Sequence, residues 1–198
     1  MPSIDKIIAL LNAYWTTALF SHARFANGLI GGLAHIVTAS ENENADTQFP
    51  VIYRDGEPFS VGLDDTFPLI VYHRQTGDAR YEKIEAQFGD ENDNLKRVVP
   101  MKMVVFGRRS ILGLTPEELE TMIILASPTN VSPSDLVGTN VDHAGIEIEN
   151  SDLVDRNVFG EEYRGIEYPI GPDEFLFKIE YSLAMQFRKH CVNVCDCL

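Results

Sequence analysis

The C-terminus holds the densest group of side chains that could bind a metal ion. His190, Cys191, Cys195 and Cys197 fall within eight residues, and three thiolates with one imidazole could complete a tetrahedral zinc site. The cysteines follow the pattern C-x3-C-x-C, however, whereas structural zinc sites usually use paired C-x2-C knuckles. We therefore expect reduced thiols that bind nothing in the tail at residues 190–198, with a zinc site as the alternative.

A second group of side chains imitates a calcium-binding loop. Asp90, Asn92 and Asn94 have the spacing of its first three ligands. Leu95 stands where such a loop needs glycine, and Met101 stands where it needs a bidentate glutamate. The segment is therefore expected to be a plain turn.

Two pairs of adjacent acids, Asp64–Asp65 and Glu161–Glu162, could hold a hard cation or act as paired carboxylates. Adjacent acids in loops are usually solvated, and the histidines are scattered singly. The chain contains no phosphate-binding glycine loop, no G-x-S-x-G and no H-E-x-x-H. The sequence therefore predicts no catalytic residue, no cofactor and no resident metal, and it favours a protein that is not an enzyme.

Basic residues gather around the ends of two predicted strands. They are Lys96, Arg97, Lys102, Arg108 and Arg109 on one strand and Arg188 and Lys189 after the other. Acidic residues, Glu161 and Glu162 among them, predominate at residues 142–174. Basic strand ends and an acidic loop are complementary between copies, so Arg108, Arg109, Arg188, Lys189, Glu161 and Glu162 are predicted interface residues. Protection of edge strands by lysine and arginine is the alternative.

The strongest structural pattern lies near the C-terminus. Large apolar residues occupy every second position from Phe175 to Phe187, and mostly polar residues lie between them. Successive side chains of a strand point to opposite faces, so the segment is predicted to be a long strand with one buried face. Its length exceeds that of an ordinary strand and suggests an extended hairpin or a strand shared between subunits.

The remaining elements are helices and shorter strands. Helices are predicted from Ile4 to Leu19 and from Thr115 to just before Pro128, the second with a capping box. Strands are predicted at 49–53, 59–63, 68–73, 95–106, 145–149 and 163–168, with a bulge or an edge at Pro100. Long loops are expected at 40–48 and 127–172. This order indicates an α+β fold, a mostly antiparallel sheet with helices on one face.

Composition limits the class of protein. The chain has 198 residues, a net charge of −14 and 44% hydrophobic residues, which suits a single domain over residues 1–198. Acidic residues concentrate at 40–95 and 142–174, and such a field repels phosphate backbones, so sequence-specific nucleic-acid binding is not expected. No apolar run is long enough to cross a bilayer, and the N-terminus does not read as a secretion signal. A cytoplasmic product without a membrane partner is expected.

These elements together resemble a known family. The N-terminal helix, the Phe-Pro-Val-Ile-Tyr strand near residue 50, the strand and helix at 101–126 and the final strand from Asp173 to Leu183 are similar to the tail terminator and tail-completion proteins of tailed bacteriophages. The resemblance implies a sheet flanked by helices and a homo-oligomeric, typically hexameric, ring at the head-proximal end of the tail tube. It implies other neck and tail-tube proteins as partners, a virion location after assembly in the host cytoplasm, and acidic residues facing a lumen through which DNA slides.

Three functions from different classes follow. The leading hypothesis is a structural virion protein that forms a ring at the head-tail junction, because loops as long as 127–172 suit partner contacts. The second is a small binding or adaptor module with a zinc-binding tail. The third is a hydrolase that uses paired loop carboxylates and a divalent ion, which would require a pocket that gathers acids from distant loops.

Overall fold

The computed structural model describes eleven helices and strands in most of the chain. The described residues are 4–20, 25, 28–40, 46–54, 57–60, 67–84, 94–139, 141–152, 162–164 and 171–187. The helices are α1 (Ile4–Phe20), α2 (Arg109–Leu112) and α3 (Pro116–Ala126). The strands are β1 (Leu29–Ser40), β2 (Asp46–Arg54), β3 (Glu57–Ser60), β4 (Leu69–Gln75), β5 (Arg80–Ile84), β6 (Asn94–Arg108), β7 (His143–Asp152) and β8 (Glu174–Phe187).

All eight strands belong to one sheet. Its order is β3-β2-β1-β4-β6-β8-β7, and β5 pairs with β6 beside the end of β4. Among the described strands, only β1 and β4 run parallel, and the other pairs are antiparallel. The prediction of an α+β fold with a mostly antiparallel sheet is therefore confirmed.

The predicted long strand, β8, lies inside the sheet. It pairs with β6 over its whole length, from Glu174 opposite Arg108 to Phe187 opposite Leu95, and with β7 on its other side. Its alternate residues Phe177, Ile179, Tyr181, Leu183 and Met185 are fully buried, as the period-two pattern predicts. The hydrogen-bonding capacity of this strand is used within the chain, in an extended antiparallel ladder.

The main hydrophobic core lies between the sheet and the helices. Helix α1 contributes Ile7, Ile8, Leu11 and Trp15 to it. Helix α3 begins with the predicted capping box, in which the Thr115 hydroxyl accepts from the Glu118 amide and the Glu118 carboxylate accepts from the Thr115 amide. A smaller apolar cluster lies on the opposite face of the sheet and consists of Ala34, Ile52, Ile70, Tyr72, Val104, Phe106 and Leu176.

Strand β1 is the largest element that the sequence prediction missed. No element was predicted between the first helix and residue 49, yet Gly31 and Gly32 lie within β1. The pairing of β1 with β4 shifts between Ile30 and Leu33, so the two glycines mark an irregularity in the strand. A Cβ at Gly31 would lie 3.2 Å from the carbonyl oxygen of Val71, and this close approach explains the residue type.

Pro100 interrupts β6 in sequence without disturbing its ladder with β8, since the register runs unshifted through Pro100 opposite Ser182. On its other side β6 pairs with β4 from Met101 onward and with β5 up to Val98. The missing N–H of Pro100 therefore falls between two partner strands, beside the carbonyl that accepts from Thr76. Pro100 therefore lies at a short edge, where neither β4 nor β5 pairs with β6. The alternative of a bulge is wrong, because the ladder with β8 is unshifted.

The expected loop at 40–48 contains more structure than predicted, because Asp46 to Gln48 belong to β2. Within the expected loop at 127–172, the predicted strand at 145–149 is confirmed as part of β7, and residues 133–139 form a turn. Strand β5 was not predicted, and Tyr163 and Arg164 do not form the expected strand. Polar residues predominate in Asp46 to Gln48 and in β5, so neither segment shows apolar alternation, and both form strands by pairing with the neighbouring strands β1 and β6.

Candidate functional site

Two cations lie side by side on the sheet face opposite the helices. Arg74 on β4 is directly opposite Lys102 on β6 in the antiparallel register. The Lys102 side chain is nearly buried, and that of Arg74 is about a quarter exposed. Like charges in directly opposite positions destabilise a sheet, so this pair requires an anion.

Glu162 provides that anion. Its Oε1 lies 2.6 Å from Lys102 Nζ and 2.8 Å from Arg74 Nη1, and its Oε2 accepts a longer hydrogen bond of 3.4 Å from the Tyr72 hydroxyl. The Glu162 side chain is completely buried. Arg74, Lys102 and Tyr72 together are called the two-cation site below. Both carboxylate oxygens are engaged, which is the pairing that a buried charge needs.

Tyrosines close the site on its apolar side. Burial raises the pKa of Tyr72 well above its ordinary value, and the nearby Tyr163 and the charge of Glu162 raise it further. Burial also raises the pKa of Tyr163. Both phenols therefore stay protonated, and the Tyr72 hydroxyl can act as a donor to Glu162.

A second polar network crosses the other face of the sheet. Asn12 Nδ2 donates to the carbonyl of Gly31 at 2.7 Å, so Asn12 Oδ1 is the atom that accepts, at 3.1 Å, from His73 Nε2. With its proton on Nε2, His73 accepts at Nδ1 from the Tyr181 hydroxyl, 2.9 Å away. The imidazole also stacks on Trp15 with a centroid distance of 4.7 Å.

This network holds His73 as a neutral, satisfied core residue. The side chain is fully buried, and burial lowers its pKa from 6.5 to about 3. Burial also raises the pKa of Tyr181. The chain of hydrogen bonds joins β8, β4, α1 and β1 through four groups that each have a partner. The network ties α1 to the sheet, because Asn12 contacts both His73 on β4 and Gly31 on β1.

The predicted interface residues that the structure describes lie in different surroundings. Arg108 Nη2 lies 3.3 Å from Glu174 Oε1 within the same chain. Arg109 is exposed, its guanidinium lies over the ring of Phe175, and its Nη1 donates to the carbonyl of Pro172 at 3.4 Å. Arg109 is therefore the better placed of the two arginines to contact another molecule.

Glu162 differs most from its prediction. The sequence placed it among solvated loop acids and at an interface between copies, whereas the structure buries it against the two-cation site. The reason is that two cations of neighbouring strands require a counterion. Glu161, Arg188 and Lys189 lie outside the described residues, as do His190, Cys191, Cys195 and Cys197 of the alternative zinc site.

The described residues contain no group of three or more His, Cys, Asp or Glu side chains that could hold a metal ion. Asp64, Asp65 and Asp90 lie outside those residues. Within the same part of the chain, no helix has the length and apolar character needed to cross a membrane.

An uncharged surface lies on the outer side of α1. From Ile7 to Phe20, α1 carries no charged residue, although Ala9, Ala13 and Thr17 face solvent. Between α1 and α3 lies an open groove of about 680 Å³. Its lining residues are Leu10, Ala13, Tyr14, Thr17, Ala18, Leu125, Ala126 and Asp135. These lining residues are called the α1–α3 groove below. One of them, Leu125, is 80% exposed.

No family model matches the chain, and no curated protein sequence matches it.

Sequence reasoning missed the two-cation site, although one signal for it was present. Lys102 stands within the otherwise apolar run from Val98 to Phe106, and a charged residue inside a buried strand normally has a counterion. Glu162 carries no comparable local signal, because its partners lie 60 or more residues away in sequence.

Proposed function

We propose that this chain is a structural subunit that assembles with its own copies into a closed ring, six-fold by preference, at the head-tail junction of a tailed bacteriophage. Its partners would be other neck and tail-tube proteins, and its place would be the virion. In support, the fold has the order of helix, strands, helices and strands that the family resemblance implies.

The observation that carries the proposal is the uncharged outer face of α1 with the α1–α3 groove beside it. In this chain 23% of the residues are charged, yet the solvent-facing positions Ala9, Ala13 and Thr17 of α1 are small and uncharged, and the neighbouring Leu125 is largely exposed. An exposed apolar side chain beside an uncharged helix face is typical of a protein interface.

Charge favours this face for contacts between copies. Two chains of net charge −14 repel each other, and the cost is lowest where the contact region carries no acid. The segment Ile7–Phe20 of α1 meets this condition, although Asp135 lines the groove beside it. A ring also needs a second, different patch on each subunit. The candidate for that patch is the exposed Arg109 at the β6–α2 junction, which is not a residue of the α1–α3 groove.

The test is the native mass of the purified chain as a function of concentration, measured by sedimentation velocity. Leu125→Glu and Ala13→Glu introduce a charge into the groove and should weaken self-association at least tenfold, while the circular dichroism spectrum stays unchanged. Thr76→Glu adds the same charge on the exposed β4–β5 turn and should leave the association constant unaltered.

Arg109→Glu tests the second patch. It should also weaken association, because it reverses an exposed cation. Arg108→Glu is a poorer probe since it breaks the intrachain pair with Glu174. A chain that stays monomeric at every concentration, both alone and mixed with tail-tube protein, would contradict the proposal. So would an oligomer that tolerates both groove substitutions.

A further inference from the structure

We propose that the two-cation site is a carboxylate-binding site of the sheet and that Glu162 is its tethered ligand. A free small carboxylate should therefore occupy the site once the Glu162 side chain is removed. This inference does not depend on self-assembly.

The first reason is the charge imbalance of the sheet itself. Arg74 and Lys102 are directly opposite each other, and burial leaves Lys102 little access to water. On its other side, Lys102 has Glu180 opposite it on β8. Within the described residues, Glu162 contacts both Arg74 and Lys102.

The second reason is the way in which the carboxylate is recognised. One oxygen receives two cationic donors, and the other receives a phenol hydroxyl. These contacts involve only the carboxylate group, whose two oxygens both accept hydrogen bonds. Hydrogen bonds between charged groups are stronger than those between neutral groups. An unattached carboxylate such as acetate offers the same two oxygens.

The third reason is the place of Glu162 in the chain. It belongs to the described turn of residues 162–164, which lies across the sheet and is also tied to β2 by the Gln48 amide donating to the Arg164 carbonyl at 2.8 Å. The strands carry the receiving groups, and the turn delivers the ligand from a distant part of the chain. The contact therefore helps to hold the turn of residues 162–164 on the sheet.

The experiment is chemical rescue of Glu162→Ala. The variant leaves Lys102 and Arg74 without their shared counterion and should melt at a lower temperature than the wild type. Sodium acetate or formate should restore stability saturably relative to sodium chloride at equal ionic strength. When acetate exceeds its dissociation constant tenfold, the folding equilibrium constant should rise about tenfold.

Two variants serve as controls. Glu162→Gln fills the same space with an amide, so acetate should not stabilise it more than chloride does. Glu162→Ala combined with Lys102→Met removes one cation and should abolish most of the rescue. If acetate and chloride act equally on Glu162→Ala, or if Glu162→Gln responds as strongly, the proposal is overturned.

If Glu162→Ala does not fold in chloride, the same comparison is made by near-ultraviolet circular dichroism. Acetate should then restore the folded spectrum in proportion to its concentration. Failure of both acetate and formate to restore it would overturn the proposal.

Discussion

Acidification should destabilise this protein through His73 before most carboxylates are protonated. In the folded chain its pKa is about 3, because the ring is fully buried and already has both nitrogens hydrogen-bonded. In the unfolded chain the imidazole takes up a proton near its ordinary pKa of 6.5. Below pH 6.5 the unfolded state therefore binds more protons than the folded state, and stability falls as the pH falls from 6.5 towards 3.

The size of the effect follows from the two pKa values. Each pH unit inside this window costs about 1.4 kcal/mol of unfolding free energy. Between about pH 7 and pH 5 the loss is about 2 kcal/mol, and over the whole window it approaches about 5 kcal/mol. A typical domain is stable by only about 5–15 kcal/mol, so this single side chain is expected to dominate the weakly acidic range.

The assay is urea unfolding near pH 7, 6 and 5. His73→Gln keeps an acceptor and a donor but cannot be protonated in this range. Between about pH 7 and pH 5, its free energy of unfolding should therefore fall by about 2 kcal/mol less than that of the wild type. His35→Gln is the matched control, since His35 is exposed on β1, and it should keep the wild-type pH dependence.

The low folded pKa of His73 also predicts how its nuclear magnetic resonance signal responds to pH. Its ring resonance should not titrate between about pH 7 and pH 5, because the folded pKa is far lower. If that resonance titrates near pH 6.5, or if His73→Gln retains the full pH dependence of the wild type, the burial argument is refuted.

Two further pairs of substitutions test the sheet. Ile179→Asp puts a charge at a fully buried position of β8 and should cost about 4 kcal/mol or more in urea unfolding. Lys178→Ala, on the other face, removes a partly buried cation that pairs with Glu180 and should cost about 1 kcal/mol. Equal tolerance of both substitutions would contradict the prediction that alternate residues of β8 are buried. Gly145→Ala would place a Cβ 2.0 Å from the carbonyl oxygen of Thr129 and should cost about 3 kcal/mol. Gly32→Ala, where a Cβ meets nothing within 4 Å, should be nearly neutral. Similar melting temperatures for the two glycine variants would show that the Thr129 backbone does not pack tightly against Gly145.

The elements with strong local signals were predictable from the sequence. The alternation from Phe175 to Phe187 predicted β8 and its buried face, because the side-chain period of a strand is a property of the strand itself. The Thr115, Pro116 and Glu118 pattern predicted the start of α3, because capping satisfies amides within one turn. These signals, with the short spacings between strands, were enough for the fold class.

The tertiary structure decided which residues meet. Arg74, Lys102 and Glu162 are joined by strand register and a distant turn, and no local pattern encodes such a meeting. Strand β1 was hidden by Gly31 and Gly32, whose fit depends on the backbone of β4 beside them. His73 looked like any isolated histidine until Asn12 and Tyr181 were brought to its two nitrogens. The physical reason is that periodicity and capping act between near neighbours in sequence, whereas counterions, close backbone approach and buried hydrogen bonds depend on contacts between distant segments.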